Sequence, residues 1–144
     1  MDIGIVAFDN ACHREQVVAL WERVFAYKTA RNAPGLVIDK KLAVHDDLFF
    51  VAVDGDKVVG SILAGYDGHR GWIYSLAVSP KRRHRGAGSQ LLRFAESRLA
   101  SLGCVKINLQ ITDGNELVEE FYVAHGYSTE PRISMGKTIT SNIG

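Results

Sequence analysis

The chain has 144 residues, enough for one domain with a full core, and a single domain over residues 1–144 is expected. With 47% hydrophobic residues, 23% charged residues and a net charge of +1, it reads as a globular protein, and no general charge-driven affinity for nucleic acid is expected. No apolar run reaches the roughly twenty residues of a membrane span, and no basic segment leads into an apolar core at the start, so a cytoplasmic protein without a membrane partner is expected. Cys12 and Cys104 lie far apart with no metal-ligand spacing around them. They read as reduced packing residues, and no metal site is expected.

Residues 3–8 read as a first strand, and Asp9 or Asn10 suits the cap of the helix that follows. Val17, Leu20, Trp21, Val24 and Phe25 recur on one face of that helix, which is the pattern of core packing. Asn32-Ala-Pro-Gly35 breaks the chain before a second short helix over 37–44, with Asp39, Lys40 and Lys41 on its outer side. Residues 48–53 form an apolar strand, and Asp54-Gly-Asp-Lys57 is a tight turn into a strand over 58–66. A further turn, Asp67-Gly-His-Arg-Gly71, leads into a strand over 72–78, which completes a three-stranded meander.

Pro80 stops that third strand, because proline cannot donate to a ladder. Lys81, Arg82, Arg83 and Arg85 then crowd one turn, and Gly86 and Gly88 open a helix whose apolar face is Leu91, Leu92, Ala95, Leu99 and Leu102. A helix start leaves about four N–H groups without partners and concentrates positive charge, so a polyphosphate is the inferred ligand of this turn. The lysine of a P-loop is absent, since Gly88 is followed by Ser89 and Gln90. The dinucleotide fingerprint is incomplete, since Leu91 stands where its third glycine belongs.

Gly103 ends the helix, a strand over 105–111 follows, and Asp113-Gly-Asn115 caps a helix over 116–125 that Gly126 closes. Two short strands are expected within 127–140, parted near Glu130 and Pro131, with a loose end from Asn142.

Arg83-His-Arg-Gly86-Ala-Gly88, with its Val-Ser-Pro lead, resembles motif A of the GCN5-related N-acetyltransferase (GNAT) superfamily: Arg or Gln, two residues, Gly, one residue, Gly or Ala. Asn115-Glu-Leu-Val-Glu-Glu-Phe-Tyr122 followed by Gly126-Tyr127 resembles its motif B, with Val118 where a small residue is usual. The Gly65-Tyr-Asp-Gly-His-Arg-Gly71 and Ile133-Ser-Met-Gly-Lys137 strings are similar to those of a small bacterial subgroup of acetyltransferases.

The resemblance implies an α/β (α+β) fold: a mixed, mostly antiparallel central sheet of six to seven strands, flanked by four helices and splayed at an acetyl-coenzyme A cleft. It implies pyrophosphate on the backbone of Arg83, His84, Arg85, Gly86, Ala87, Gly88 and Ser89. Pantetheine would pair with Leu76 and Val78, and Asn115 would hold its far end. Tyr122, at the cofactor's thiol, is the implied acid, and an N–H near Leu76 or Ala77 the implied oxyanion donor. The acceptor is an amine of a small molecule or peptide. Since a lysine-like amine is only about 0.04% neutral at pH 7, a base should help. Gln110 stands where some relatives carry a glutamate, and an amide cannot act so. Asp67 and His69 are the candidate bases, Arg70 a candidate anchor for an acidic acceptor, and plain hairpin-turn chemistry is the competing reading of all three. A coenzyme A-binding sensor without catalysis, and an acetyltransferase touching RNA through residues 81–85, are the rival functions. The oligomeric state is left open, a homodimer among the options.

Overall fold

A computed structural model describes residues 3–27 and 29–140, so the expected loose end from Asn142 lies outside the described residues. One sheet runs in the order β1 (Gly4–Ala7), β2 (Phe49–Asp54), β3 (Lys57–Tyr66), β4 (Gly71–Val78), β5 (Ile107–Asn108). Neighbours are antiparallel except β5, which lies parallel to β4, so the mixed and mostly antiparallel expectation holds. Among the described residues four α-helices accompany it: α1 (Asn10–Val24), α2 (Pro34–Val44), α3 (Ala87–Ser101) and α4 (Glu116–Ala124).

Strand β2 explains the layering. Phe49 and Val51 enter one cluster with Val17, Leu20 and Trp21 of α1 and Ile38 of α2, whereas Phe50 and Ala52 enter another with α3 and Tyr122 of α4. A strand covered on both faces is apolar at successive positions, as this one is. Gly60 sets how closely α3 approaches: an added Cβ would stand 2.9 Å from Leu91 Cδ1 and 3.0 Å from the Ala77 carbonyl oxygen.

Three sequence readings need correction. The described residues hold five strands rather than six to seven, because β5 keeps only Ile107 and Asn108 and no strand forms within 127–140. Side chains tie the later segment to β5, with Asn108 Nδ2 donating to Glu130 at 2.8 Å and Lys106 pairing with Glu130 at 2.8 Å. Ile133 and Met135 carry the two-residue period of a strand, yet both are 90% exposed, with no second layer to bury them. Lys41 is not outward. Helix α2 begins at Pro34 and turns Lys41 onto the buried face beside Ile38, where it bonds the Ala64 carbonyl and pairs with Asp46 at 2.7 Å. Cys12 is exposed rather than packed, while Cys104 is partly buried against the α3 side of the sheet.

Candidate functional site

Strand β4 meets β5 only at Gly71↔Ile107 and Trp72↔Asn108, so from Ile73 onward one edge of β4 has no strand beside it. On its other edge the register runs from Leu63↔Tyr74 to Ser61↔Ala77, which sets Ser75 and Leu76 together opposite Ile62. That is a β-bulge, and it bends the strand where the sheet parts. Ser75 takes φ 52°, a left-handed conformation that costs a non-glycine residue about 1–2 kcal/mol. A buried relay holds it there. Trp21 Nε1 donates to Ser61 Oγ at 2.8 Å, and Ser61 Oγ donates to the Ser75 carbonyl at 3.1 Å. Trp21 therefore packs the core, as expected, and also anchors the bulge. Ser79 N–H donates to the Val59 carbonyl at 2.8 Å. By strand alternation Ala77 then faces β3, while Leu76 and Val78 present their N–H and C=O groups to the open edge.

Past β4 a 3-10 turn over Pro80–Arg82 leads to Gly86, which enters α3 at φ 88°. No side chain caps α3, so its first N–H groups stay without intrahelical partners and the positive end of the dipole is uncovered. An added Cβ at Gly86 would meet nothing within 4 Å, so glycine is required there for its φ, and the space before it is open. Arg82 serves as a tie, pairing with Asp54 of β2 at 2.7 Å. Lys81, Arg83 and Arg85 are exposed and make no salt bridge among the described residues. These residues fit a polyphosphate group: open space, uncapped donors and three cations converge on one turn.

Helix α4 closes the other side. Asn115 caps it, Oδ1 accepting from Val118 N–H at 3.4 Å, which leaves the amide hydrogens for another partner. Tyr122 is 8% exposed and lines an open groove of about 1450 Å³ together with Asn115. Burial pushes its phenol up to about 12. Tyr127 is committed elsewhere, its hydroxyl donating to Glu96 Oε2 at 2.7 Å. His125 is half-buried: Nδ1 lies 2.8 Å from the Phe121 carbonyl and Nε2 2.9 Å from Ser89 Oγ. A carbonyl only accepts, so in the neutral ring Nδ1 carries the hydrogen and Nε2 accepts from Ser89. His125 thus joins the end of α4 to the first turn of α3.

Asp67 and His69 lie elsewhere. Asp67 Oδ1 accepts from the N–H of Arg70 at 2.7 Å and of His69 at 2.8 Å, and these bonds hold its carboxyl below the ordinary value. A carboxylate stabilised this way is a weaker base. The tip joins Tyr66 to Gly71, and the six residue steps from Arg70 to Leu76 span up to about 20 Å of strand. The end of β4, the start of α3 and α4 adjoin, since a Cβ at Gly88 would lie 3.5 Å from Phe121 and 3.6 Å from Val78, and His125 meets Ser89. The groove that Asn115 and Tyr122 line is walled by Arg70, Trp72 and the segment after α3, and Asp67 and His69 are not among its lining residues.

A sheet parted at a bulge, facing an uncapped helix start, defines an acetyltransferase-type architecture. The family described as "Acetyltransferase (GNAT) family" matches residues 13–127, and the chain belongs to it. It is similar to an acetyltransferase of Pectobacterium atrosepticum, 39% identical over 139 residues and covering 96% of each chain. Its fold is similar to that of the PaiA N-acetyltransferase from Thermoplasma acidophilum in complex with coenzyme A, with TM-score 0.79, 17% identity, and 92% and 94% of the two chains covered. It is also similar to that of AAC(6')-Iy in complex with a coenzyme A bisubstrate analogue, with TM-score 0.76, 16% identity, and 97% and 100% covered.

Proposed function

We propose that the chain is a single-domain N-acetyltransferase over residues 1–144, transferring acetyl from acetyl-coenzyme A to an amine of a small molecule or peptide. The observation that carries this is the open edge of β4 beside the uncapped start of α3, with α4 set against that start through Phe121 at Gly88 and His125 at Ser89. When bound, acetyl-coenzyme A supplies an acetyl group as a thioester and leaves as the free thiol. The N–H groups from Arg83 to Ser89 would hold its pyrophosphate, with Lys81, Arg83 and Arg85 balancing the charge. Leu76 and Val78 would pair with pantetheine as an added strand does, and the Asn115 amide would bind its far end.

Leu76 supplies the oxyanion donor in this reading, because Ala77 faces β3. Tyr122 supplies the proton to sulfur; with its phenol pushed up to about 12, it stays protonated at every physiological pH. The unpaired thiols Cys12 and Cys104 fit a reducing, cytoplasmic compartment. The strings at 65–71 and 133–137 support a place in the small bacterial subgroup named above, and Asp67 serves there as the turn-former.

The test is release of thiol from acetyl-coenzyme A across a panel of amines, in a Cys12→Ser background so that the exposed thiol adds no signal. Amine-dependent release is expected; tight binding without release to any amine would favour a sensor. Ser61→Ala probes the bulge. It leaves the Trp21 N–H buried without a partner, so unfolding free energy should fall by about 1–3 kcal/mol. Freed from its hold on the Ser75 carbonyl, the bulge should misplace Leu76, and turnover should drop roughly tenfold while acetyl-coenzyme A affinity, which Leu76 shares with Val78 and the start of α3, falls by only about threefold. Chemical denaturation, calorimetry and steady-state kinetics separate the three effects.

A further inference from the structure

On the α1 and α2 side of the sheet, directly behind the bulge, a cavity of about 220 Å³ opens between the end of α1 and the start of α2. Trp21, Phe25 and Tyr27 wall one side and Pro34 and Val37 the other, and Ser75 of the bulge also lines it. None of its described lining residues carries a charge. Phe25 and Tyr27 remain 38% and 47% exposed, leaving aromatic surface open at the cavity. Asn32, Ser75 and the Tyr27 hydroxyl are its polar lining groups besides the Trp21 N–H, which Ser61 holds; Asn32 Nδ2 donates to Thr29 Oγ1 at 3.1 Å, which leaves its carbonyl oxygen available to accept from an N–H group.

We infer that this cavity is the acceptor subsite and that it takes small primary amines with an apolar, arylalkyl body in preference to polycationic amines. The inference rests on the proposed acetyl transfer. Three arguments from the same lining agree. The volume, about 220 Å³, falls below the roughly 300–1,000 Å³ of pockets that enclose drug-sized ligands, so it suits one ring with a short arm rather than an oligosaccharide. A polyamine would bring several ammonium groups against walls whose described residues offer no carboxylate, and burying unpaired charge is costly. A single ammonium can lie over the faces of Phe25, Tyr27 or Trp21 on entry.

The chemistry gives a fourth argument. The attacking nitrogen must be neutral, and an uncharged lining disfavours the ammonium form and lowers its pKa. The cavity thereby does part of the work of a base, at the end of β4 from which Asp67 and His69 are absent. The nitrogen lone pair forms the new C–N bond, the C–S bond breaks with its pair on sulfur, and the surplus amine proton goes to water. Sulfur takes its proton from Tyr122, which water restores.

Phenethylamine, spermidine and neamine are compared as acceptors, with acetyl-coenzyme A affinity measured separately by calorimetry. Phenethylamine is expected to exceed both others in kcat/KM by at least roughly tenfold. Phe25→Ala and Tyr27→Ala should each raise its KM about tenfold with kcat and acetyl-coenzyme A affinity unchanged, and Phe25→Leu should recover most of the loss. Phenethylamine titrated into protein saturated with coenzyme A should also change tryptophan fluorescence saturably, since Trp21 lines the cavity. If acetyl-coenzyme A binds but spermidine or neamine serves as well as phenethylamine, or the alanine variants keep the wild-type KM, the acceptor class is wrong and the cosubstrate reading stands. If folded wild-type protein binds no acetyl-coenzyme A, the acetyl-transfer reading itself fails.

Discussion

Gly86→Val is expected to weaken acetyl-coenzyme A binding by at least about 100-fold, roughly 2.7 kcal/mol, in a chain that still folds. Gly86 holds φ 88° as the residue that starts α3. A β-branched residue is strained there by about 1–3 kcal/mol, and the segment would relieve the strain by rotating the N–H groups of Ala87 to Ser89 out of their common direction. The added side chain would also occupy the open space before the turn. Gly88→Ala is the informative control, since its Cβ would meet the Phe121 ring at 3.5 Å, an ordinary contact. Its affinity should fall only a few-fold. Calorimetry on the two variants, with circular dichroism to confirm folding, checks the contrast; wild-type affinity in Gly86→Val would remove the start of α3 from the site.

Tyr122→Phe should lower kcat by about 100-fold or more while leaving acetyl-coenzyme A affinity within about twofold. In water a phenol donates uphill to a thiolate whose thiol has a pKa of about 8.5. Burial raises Tyr122 further, to about 12, so the transfer stays uphill and the proton moves only as the C–S bond breaks and charge builds on sulfur. Full turnover in the variant would show that sulfur takes its proton elsewhere. The same burial has a consequence for stability. The folded value of Tyr122, about 12, lies above its unfolded value of 10.0, so the stability it contributes is complete below pH 10 and is lost as pH rises towards 12. Alkaline unfolding followed by circular dichroism should be less steep in Tyr122→Phe, with no difference in pH dependence below pH 9.

The parts of this molecule that the sequence made legible are those where local chemistry demands particular residues. Pro80 and Gly86 mark the end of β4 and the entry of α3, and Asp9 and Asn115 cap their helices as their residue types suggest. The bulge carried no such mark. A serine at left-handed φ runs against propensity, and it persists because Ser61 holds its carbonyl and Trp21, 40 residues from Ser61, holds Ser61. His125 was hidden for the same reason, its partner Ser89 lying 36 residues away. Charge alone points Lys41 to solvent, whereas Asp46 and the Ala64 carbonyl satisfy it inside. At the C-terminal segment the alternation of Ile133 and Met135 signalled compatibility with a strand without supplying a partner strand. The candidate bases Asp67 and His69 were drawn from a string of reactive residue types, and only the topology reveals that it caps a hairpin far from Leu76.

The most direct test of acetyl-coenzyme A recognition is a titration of the cosubstrate into isotopically labelled protein, followed by amide chemical shifts. Saturable shifts concentrated at Leu76 to Val78, Arg83 to Ser89 and Asn115, with Asp67 to Arg70 unmoved, are the predicted result. A folded protein whose amides stay in place at millimolar acetyl-coenzyme A, or shift only around the β3–β4 hairpin tip, would contradict it.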